Sequence, residues 1–148
     1  MTDVTITVSR AETGALGRIE AILKANDLPH RDVRTKPECF FVAVSDAEFV
    51  GAGGIERYEP DGLLRSIVTK RSVRDQGYGS AIYDELETHA RKNGIETLYL
   101  LTTTAAEFFR RRGYEAIDRE EVPSRIRQTA EFAELCPSSA TCLKKSLR

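Results

Sequence analysis

Gly62-Leu63-Leu64-Arg65-Ser66-Ile67-Val68-Thr69-Lys70-Arg71-Ser72-Val73-Arg74-Asp75-Gln76-Gly77-Tyr78-Gly79-Ser80, continuing from Ala81 to Asn93, is the stretch whose reading decides the fold. Residues 63–69 form an apolar, β-branched run bounded by turn formers, which predicts a strand. Ile82, Leu86 and Ala90 recur every four residues with Tyr83 beside them, and Asn93-Gly94 is a stop signal, which predicts a helix. Between the two lies a short loop with two glycines. Without a Cβ, Gly77 and Gly79 let backbone N–H groups come close to a bulky anion. The helix also begins there, and its unpaired N–H groups and the positive end of its macrodipole favour phosphate. Arg74 supplies a cation that can fork onto phosphate oxygens.

Two common phosphate loops are excluded. No Gly-Lys-Ser/Thr follows, so this is not a P-loop. A Gly-x-Gly-x-x-Gly pattern from Gly77 would put its third glycine at Ile82, and none follows Gly79 before Gly94. Arg74 to Gly79 does match Arg/Gln-x-x-Gly-x-Gly/Ala, and so resembles the acetyl-CoA pyrophosphate loop of the GNAT superfamily of N-acetyltransferases. Taken by itself, the loop equally fits a strand-to-helix turn whose glycines serve packing.

Composition narrows the class. A chain of 148 residues with 41% apolar content predicts one domain, 1–148, with a single core. A net charge of −1 with no basic tail offers no field for nucleic acid. No apolar run nears the length of a membrane span and no leader precedes residues 4–8, so no membrane contact and a cytoplasmic location are expected. Three cysteines without two-residue spacing, and two distant histidines, predict neither a disulfide framework nor a metal site.

The remaining elements follow in order. Residues 4–8 alternate Thr with apolar residues and predict a strand. Thr13 is the expected cap of a helix with Leu16, Ile19, Ile22 and Leu23 inward. Residues 30–38 read as a polar loop or a short irregular helix. Strands at 39–44, 49–58 and 63–69 make a meander, with turns at Asp46-Ala47-Glu48 and Pro60-Asp61-Gly62. Gly51, Gly53 and Gly54 in its middle strand mark bulges or close backbone approach, or plain sheet curvature. A strand at 97–101 precedes a helix at 105–112 with Phe108 and Phe109 inward, stopped by Gly113. A strand at 114–117 and a helix opened by Pro123 and running through Leu135 come next, then a break at Cys136-Pro137-Ser138-Ser139 and a last strand at 140–147. The order predicts an α/β fold: a mixed, largely antiparallel central sheet with helices on both faces.

A second motif strengthens the resemblance. Leu98 to Tyr114 contains Ala105-x-x-Phe108-Phe109, three residues, then Gly113-Tyr114, similar to the GNAT pattern Ala-x-x-Phe-Tyr, three residues, Gly-Phe/Tyr. The resemblance implies a GNAT-like fold and acetyl-CoA as cosubstrate. Backbone N–H groups of Gln76, Gly77, Gly79 and Ser80, with Arg74, would hold its pyrophosphate. The backbone of Ile67 and Val68 would pair with the pantetheine arm as an added strand does. Thr102 stands where the family often has an Asn near that arm. Phe109 stands where the family often has the tyrosine that protonates the departing thiolate, so water or Ser66 would have to serve. A homodimer, common in the family, is also implied, with the C-terminal strand as an exchange element.

Direct attack requires a neutral amine. At pH 7 this costs roughly 1.4 kcal/mol for an α-amine and roughly 4.6 kcal/mol for a lysine-like one, so an α-amino acceptor asks little of the enzyme. Glu56 is the candidate base, directly or through water; the opposing reading is a surface carboxylate at a hairpin end. Arg65 either forks onto an anionic group of the substrate or is an outward arginine on an exposed face. The segments 123–132 and 135–143, with Leu64-Arg65-Ser66, look like the arsenic-resistance, ArsN-type branch of the superfamily. That likeness implies a small-molecule acceptor, an arsenic- or phosphorus-containing glutamate analogue, with Arg125 or Arg127 as further anchors. Two other functions remain open on sequence: a CoA-binding or sensing module without chemistry, and an acetyltransferase for peptides or proteins.

Overall fold

The computed structural model describes residues 6–73, 76–129, 132 and 139–147. Its elements are β1 (Thr7–Arg10), α1 (Leu16–Ala25), β2 (Phe40–Ser45), β3 (Glu48–Tyr58), β4 (Asp61–Thr69), α2 (Tyr78–Lys92), β5 (Thr97–Thr102), α3 (Ala106–Arg110), β6 (Glu115–Ala116), α4 (Ser124–Arg127) and β7 (Thr141–Ser146). The strands lie in the order β1-β2-β3-β4-β5-β7-β6. β1 with β2, β2 with β3, β5 with β7 and β6 with β7 pair antiparallel; β4 with β5 is parallel. The mixed, largely antiparallel α/β sheet expected from the element order is the one observed. Two compact units can be distinguished: Met1–Ile55 with Ser66–His89, and Glu56–Arg65 with Ala90–Arg148.

In the first unit the alternation of β3 sends neighbouring residues to opposite faces. Ala52 joins Leu16, Ile19, Ile22 and Leu23 of α1 in one apolar core with Phe40 and Val68. Gly51 and Gly53 face α2 instead. A Cβ on Gly51 would lie 2.4 Å from the Val68 carbonyl oxygen and 2.8 Å from Ile82 Cδ1; one on Gly53 would lie 2.5 Å from Leu86 Cδ1. Close approach of α2, and at Gly51 also of the β4 backbone, therefore accounts for these two glycines, and helices cover both faces here. The β2–β3 register slips between Ala43, opposite Gly51, and Val44, opposite Phe49, which leaves Val50 as a bulge. Asp46 and Ala47 both have positive φ (51° and 64°), as a two-residue hairpin turn demands.

In the second unit Leu63, Tyr99, Val122, Ile126, Phe132 and Cys142 form a core, with Tyr58, Leu101 and Ile117 packed against it. α3 ends where Gly113 turns to φ 97° and Tyr114 N–H donates to the Phe109 carbonyl at 3.1 Å. Phe109 is buried, whereas Phe108 is only half-buried, beneath the Arg112 guanidinium 3.8 Å from its ring centroid.

Several boundaries differ from expectation. Thr13 does not cap α1: it lies inside a 3-10 turn, Thr13–Ala15, that leads into the helix, with Glu12 at its start. The turn expected at Pro60-Asp61-Gly62 is shorter, because Asp61 and Gly62 already pair with Thr97 and Leu98 of β5. The helix opened by Pro123 is described only as the single turn α4. After it, the Thr129 hydroxyl donates to the Ile126 carbonyl at 2.7 Å, and Phe132 is again helical. Residues 130–131 and 133–138, including Leu135 and Cys136, lie outside the described residues, as do residues 1–5, which include the first two of the strand expected at 4–8.

Candidate active site

β4 carries most of the chemistry expected from sequence, and its geometry is irregular in two places. First, Ser66 has φ 63° although it is neither glycine nor asparagine; such backbone in mid-strand is strained by about 1–3 kcal/mol and gathers at functional sites. The alternation breaks there: Leu63, Leu64 and Arg65 are all buried, and Ser66 and Ile67 are both half-buried. Past Ser66, Ile67 turns toward the face of Gly53, its Cγ1 lying 3.6 Å from where a Cβ would be. Second, β4 and β5 pair over three residues only, Asp61↔Thr97 to Leu63↔Tyr99, although β4 continues to Thr69 and β5 to Thr102. Strands that stop pairing leave backbone N–H and C=O groups for another chain-like partner.

The loop after β4 is anchored at its start. Lys70 N–H donates to the Val50 carbonyl at 2.9 Å, and Arg71 reaches the Ala25 carbonyl at 2.8 Å. Arg74 and Asp75 lie outside the described residues. Gln76 and Gly77 are exposed just before α2, and Gly77, φ 88°, accepts the Ala81 N–H through its carbonyl at 3.1 Å. That conformation needs glycine at 77. Gly79 is different: it lies in the first turn of α2, and a Cβ there would meet no atom within 4 Å. Ser80 follows in the same turn, half-buried.

Glu56 and Arg65, considered separately from sequence, meet. Arg65 Nη1 lies 2.9 Å from Glu56 Oε2, with side chains 0% and 2% exposed, and the Tyr58 hydroxyl donates to Glu56 Oε1 at 2.5 Å. The pair is neither a surface carboxylate at a hairpin end nor an outward arginine on an exposed face. Burial of both charges is tolerable because each compensates the other. Alternation along β3 puts Glu56 and Tyr58 on one face, and the two-residue offset in β4 puts Leu63 and Arg65 on one face. Nearby, Arg125 Nη2 donates to the Tyr58 and Glu59 carbonyls at 2.5 and 2.8 Å, so the structure engages it with the end of β3.

Thr102 closes β5, and its hydroxyl oxygen accepts the Ala105 N–H at 2.9 Å, which fixes the entry to α3. Cys39 is half-buried and Cys142 is buried, and both are free thiols. Burial is the largest cause pushing the Cys142 thiol up to about 11, against the opposing pull of Arg119, so it is a poor nucleophile at neutral pH. Among the described residues no group of three metal-binding side chains occurs. Two open cavities, about 580 and 320 Å3, flank α1 at Arg18 and contain none of the expected site residues. Sequence reading passed over Tyr58 and Tyr99, whose place beside the buried pair and at the end of the β4–β5 pairing follows only from strand register.

A strand and a helix joined by a glycine-bearing turn, in a mixed and largely antiparallel sheet, are matched by a family model. Residues 11–114 fit the acetyltransferase (GNAT) family, and the chain belongs to that family. An amino-acid acetyltransferase of Pseudomonas fluorescens is 36% identical over 63 residues, covering 43% of this chain and 15% of that protein. The fold resembles N-acetylglutamate synthase of Neisseria gonorrhoeae solved with coenzyme A and N-acetyl-glutamate, with TM-score 0.85, 18% identity and coverage of 99% of this chain and 36% of that one. It also resembles a Mycobacterium tuberculosis protein solved with CoA, with TM-score 0.80, 21% identity and coverage of 96% and 99%. The chain thus spans a minor part of the length of the first two.

Proposed function

We propose that this chain is an acetyl-CoA-dependent N-acetyltransferase, acting as one domain, that acetylates the amine of a small anionic amino acid by direct attack. Gly79 carries the reading. Glycine in a helix costs about 1 kcal/mol relative to alanine, and among the described residues no atom beyond its own stretch of helix lies within 4 Å of where its Cβ would be. A residue that costs stability and serves no packing is accounted for by a ligand approaching the start of α2. A pyrophosphate suits the exposed N–H groups and the dipole there.

In this account Gln76, Gly77, Gly79 and Ser80 hold the pyrophosphate through backbone N–H groups, with Arg74 as counter-charge. Ile67 and Val68 offer backbone groups to the pantetheine arm, and Thr102 flanks it. Acetyl-CoA, when bound, supplies an acetyl group activated as a thioester. Glu56 is the base. Because it is buried with Tyr58 on one oxygen, the amine proton passes to the Tyr58 oxygen as the Tyr58 proton passes to Glu56. Arg65, held by Glu56, anchors an anionic group of the acceptor. Ser66 donates to the departing thiolate, which Phe109 cannot do. The amino-acid acetyltransferase relatives and the segment 123–143 favour a glutamate-like acceptor, including arsenic- or phosphorus-containing analogues. A cytoplasmic location and a homodimer belong to the same proposal. Among the described residues no helix is long and apolar enough to cross a membrane.

Thiol release from acetyl-CoA tests the proposal, using L-glutamate, phosphinothricin and its arsenic analogue beside polyamines and peptides. Turnover with the acidic amino acids is expected. CoA binding without turnover on any amine points instead to a binding module, and turnover on peptides alone points to a protein acetyltransferase.

A further inference from the structure

Tyr99 lies at the last position where β4 and β5 pair, opposite Leu63. It is 8% exposed and belongs to the core formed by Leu63, Val122, Ile126, Phe132 and Cys142. A buried tyrosine ordinarily finds a partner for its hydroxyl. Tyr58, packed against the same core, does so on Glu56. The Tyr99 hydroxyl has no hydrogen-bond partner among the described residues. Yet no fully enclosed side-chain oxygen among them lacks a partner, so this hydroxyl opens onto accessible space. Burial first, then the charges of Asp61 and Cys142, hold its phenol above the ordinary value, so at neutral pH it is a donor. A donor set in an apolar core, at the last paired position of β4 and β5, suits an oxygen brought by a ligand.

Resting on the acetyltransfer reading above, we propose that Tyr99 is a specificity-determining residue whose hydroxyl donates to an anionic oxygen of the amine acceptor, a carboxylate or oxyanion remote from the reacting nitrogen. Tyr99→Phe removes that donor and leaves the ring. The core loses no hydrogen bond by it, so the melting temperature and CoA affinity stay as in the wild type. For L-glutamate and phosphinothricin, KM rises about tenfold or more while kcat changes less than about threefold, the size expected for one hydrogen bond to a charged group. For putrescine, which carries no such oxygen, any turnover is unchanged.

An unchanged KM for the acidic acceptors overturns the proposal. So does turnover confined to amines without an anionic oxygen, or a loss of activity that tracks a fall in melting temperature. If the wild type acetylates no amine, the acetyltransfer reading fails and a second readout still decides Tyr99. Its 13Cζ resonance, identified by its loss in Tyr99→Phe, either shifts when L-glutamate is added to protein saturated with CoA, which supports the contact, or stays put, which overturns it.

Discussion

At the scale of single residues, the Glu56–Arg65 pair is where the chemistry and the fold compete for the same atoms. Removing one partner of a buried pair leaves the other charge without its compensation and costs about 3–5 kcal/mol, whereas replacing both by apolar residues is close to neutral. Arg65→Met should therefore lower the urea midpoint strongly, and Glu56→Leu combined with Arg65→Met should recover most of it. The double variant should remain inactive, which separates the roles of the pair in catalysis and in folding. Cys142 makes a different demand. Folded, its thiol is pushed up to about 11; unfolded, it titrates near about 8.5. Between these values the unfolded chain releases a proton that the folded chain keeps. Stability is thus fully present below the unfolded value and is lost as pH rises, by up to about 1.4 kcal/mol per unit. Denaturant midpoints at pH 8, 9 and 10 should fall in the wild type and fall less in Cys142→Ala.

At the scale of elements, β3 and α2 explain why glycines that look alike in sequence do opposite things. Gly51 is needed for packing, since a methyl group there meets the Val68 carbonyl and Ile82. Gly51→Ala should destabilise by about 1–3 kcal/mol, read as a lower thermal midpoint. The helices at 16–25 and 78–92 were legible because Leu16, Ile19, Ile22, Leu23 and Ile82, Leu86, Ala90 repeat at helical spacing, and all are buried. The meander was legible from alternating or apolar runs between turn formers. The positive φ of Ser66 was not, since serine carries no signal for it. The roles of Glu56 and Arg65 were half legible: their types invited chemistry, but their meeting depends on the register of β3 against β4, which no local pattern encodes.

At the scale of the whole molecule, family membership follows from elements in order, while the acceptor amine depends on a few side chains and the account commits to an acidic one. A ligand that binds only the folded state raises its stability, by about 2.7 kcal/mol at a hundredfold excess over Kd. With roughly 2–4 °C per kcal/mol for a chain of this size, CoA at that excess should raise the melting temperature by about 5–11 °C. The most direct test of the central claim, that the start of α2 is a pyrophosphate site, is a calorimetric titration of CoA into the wild type and Gly79→Leu, with both melting temperatures measured alongside. The wild type is expected to bind, Gly79→Leu to bind at least about tenfold more weakly, and the variant to melt no lower, because leucine suits a helix better than glycine and the position has room for a Cβ among the described residues. Equal affinity in the two proteins, no binding by the wild type, or a melting temperature that falls in step with affinity would contradict the claim.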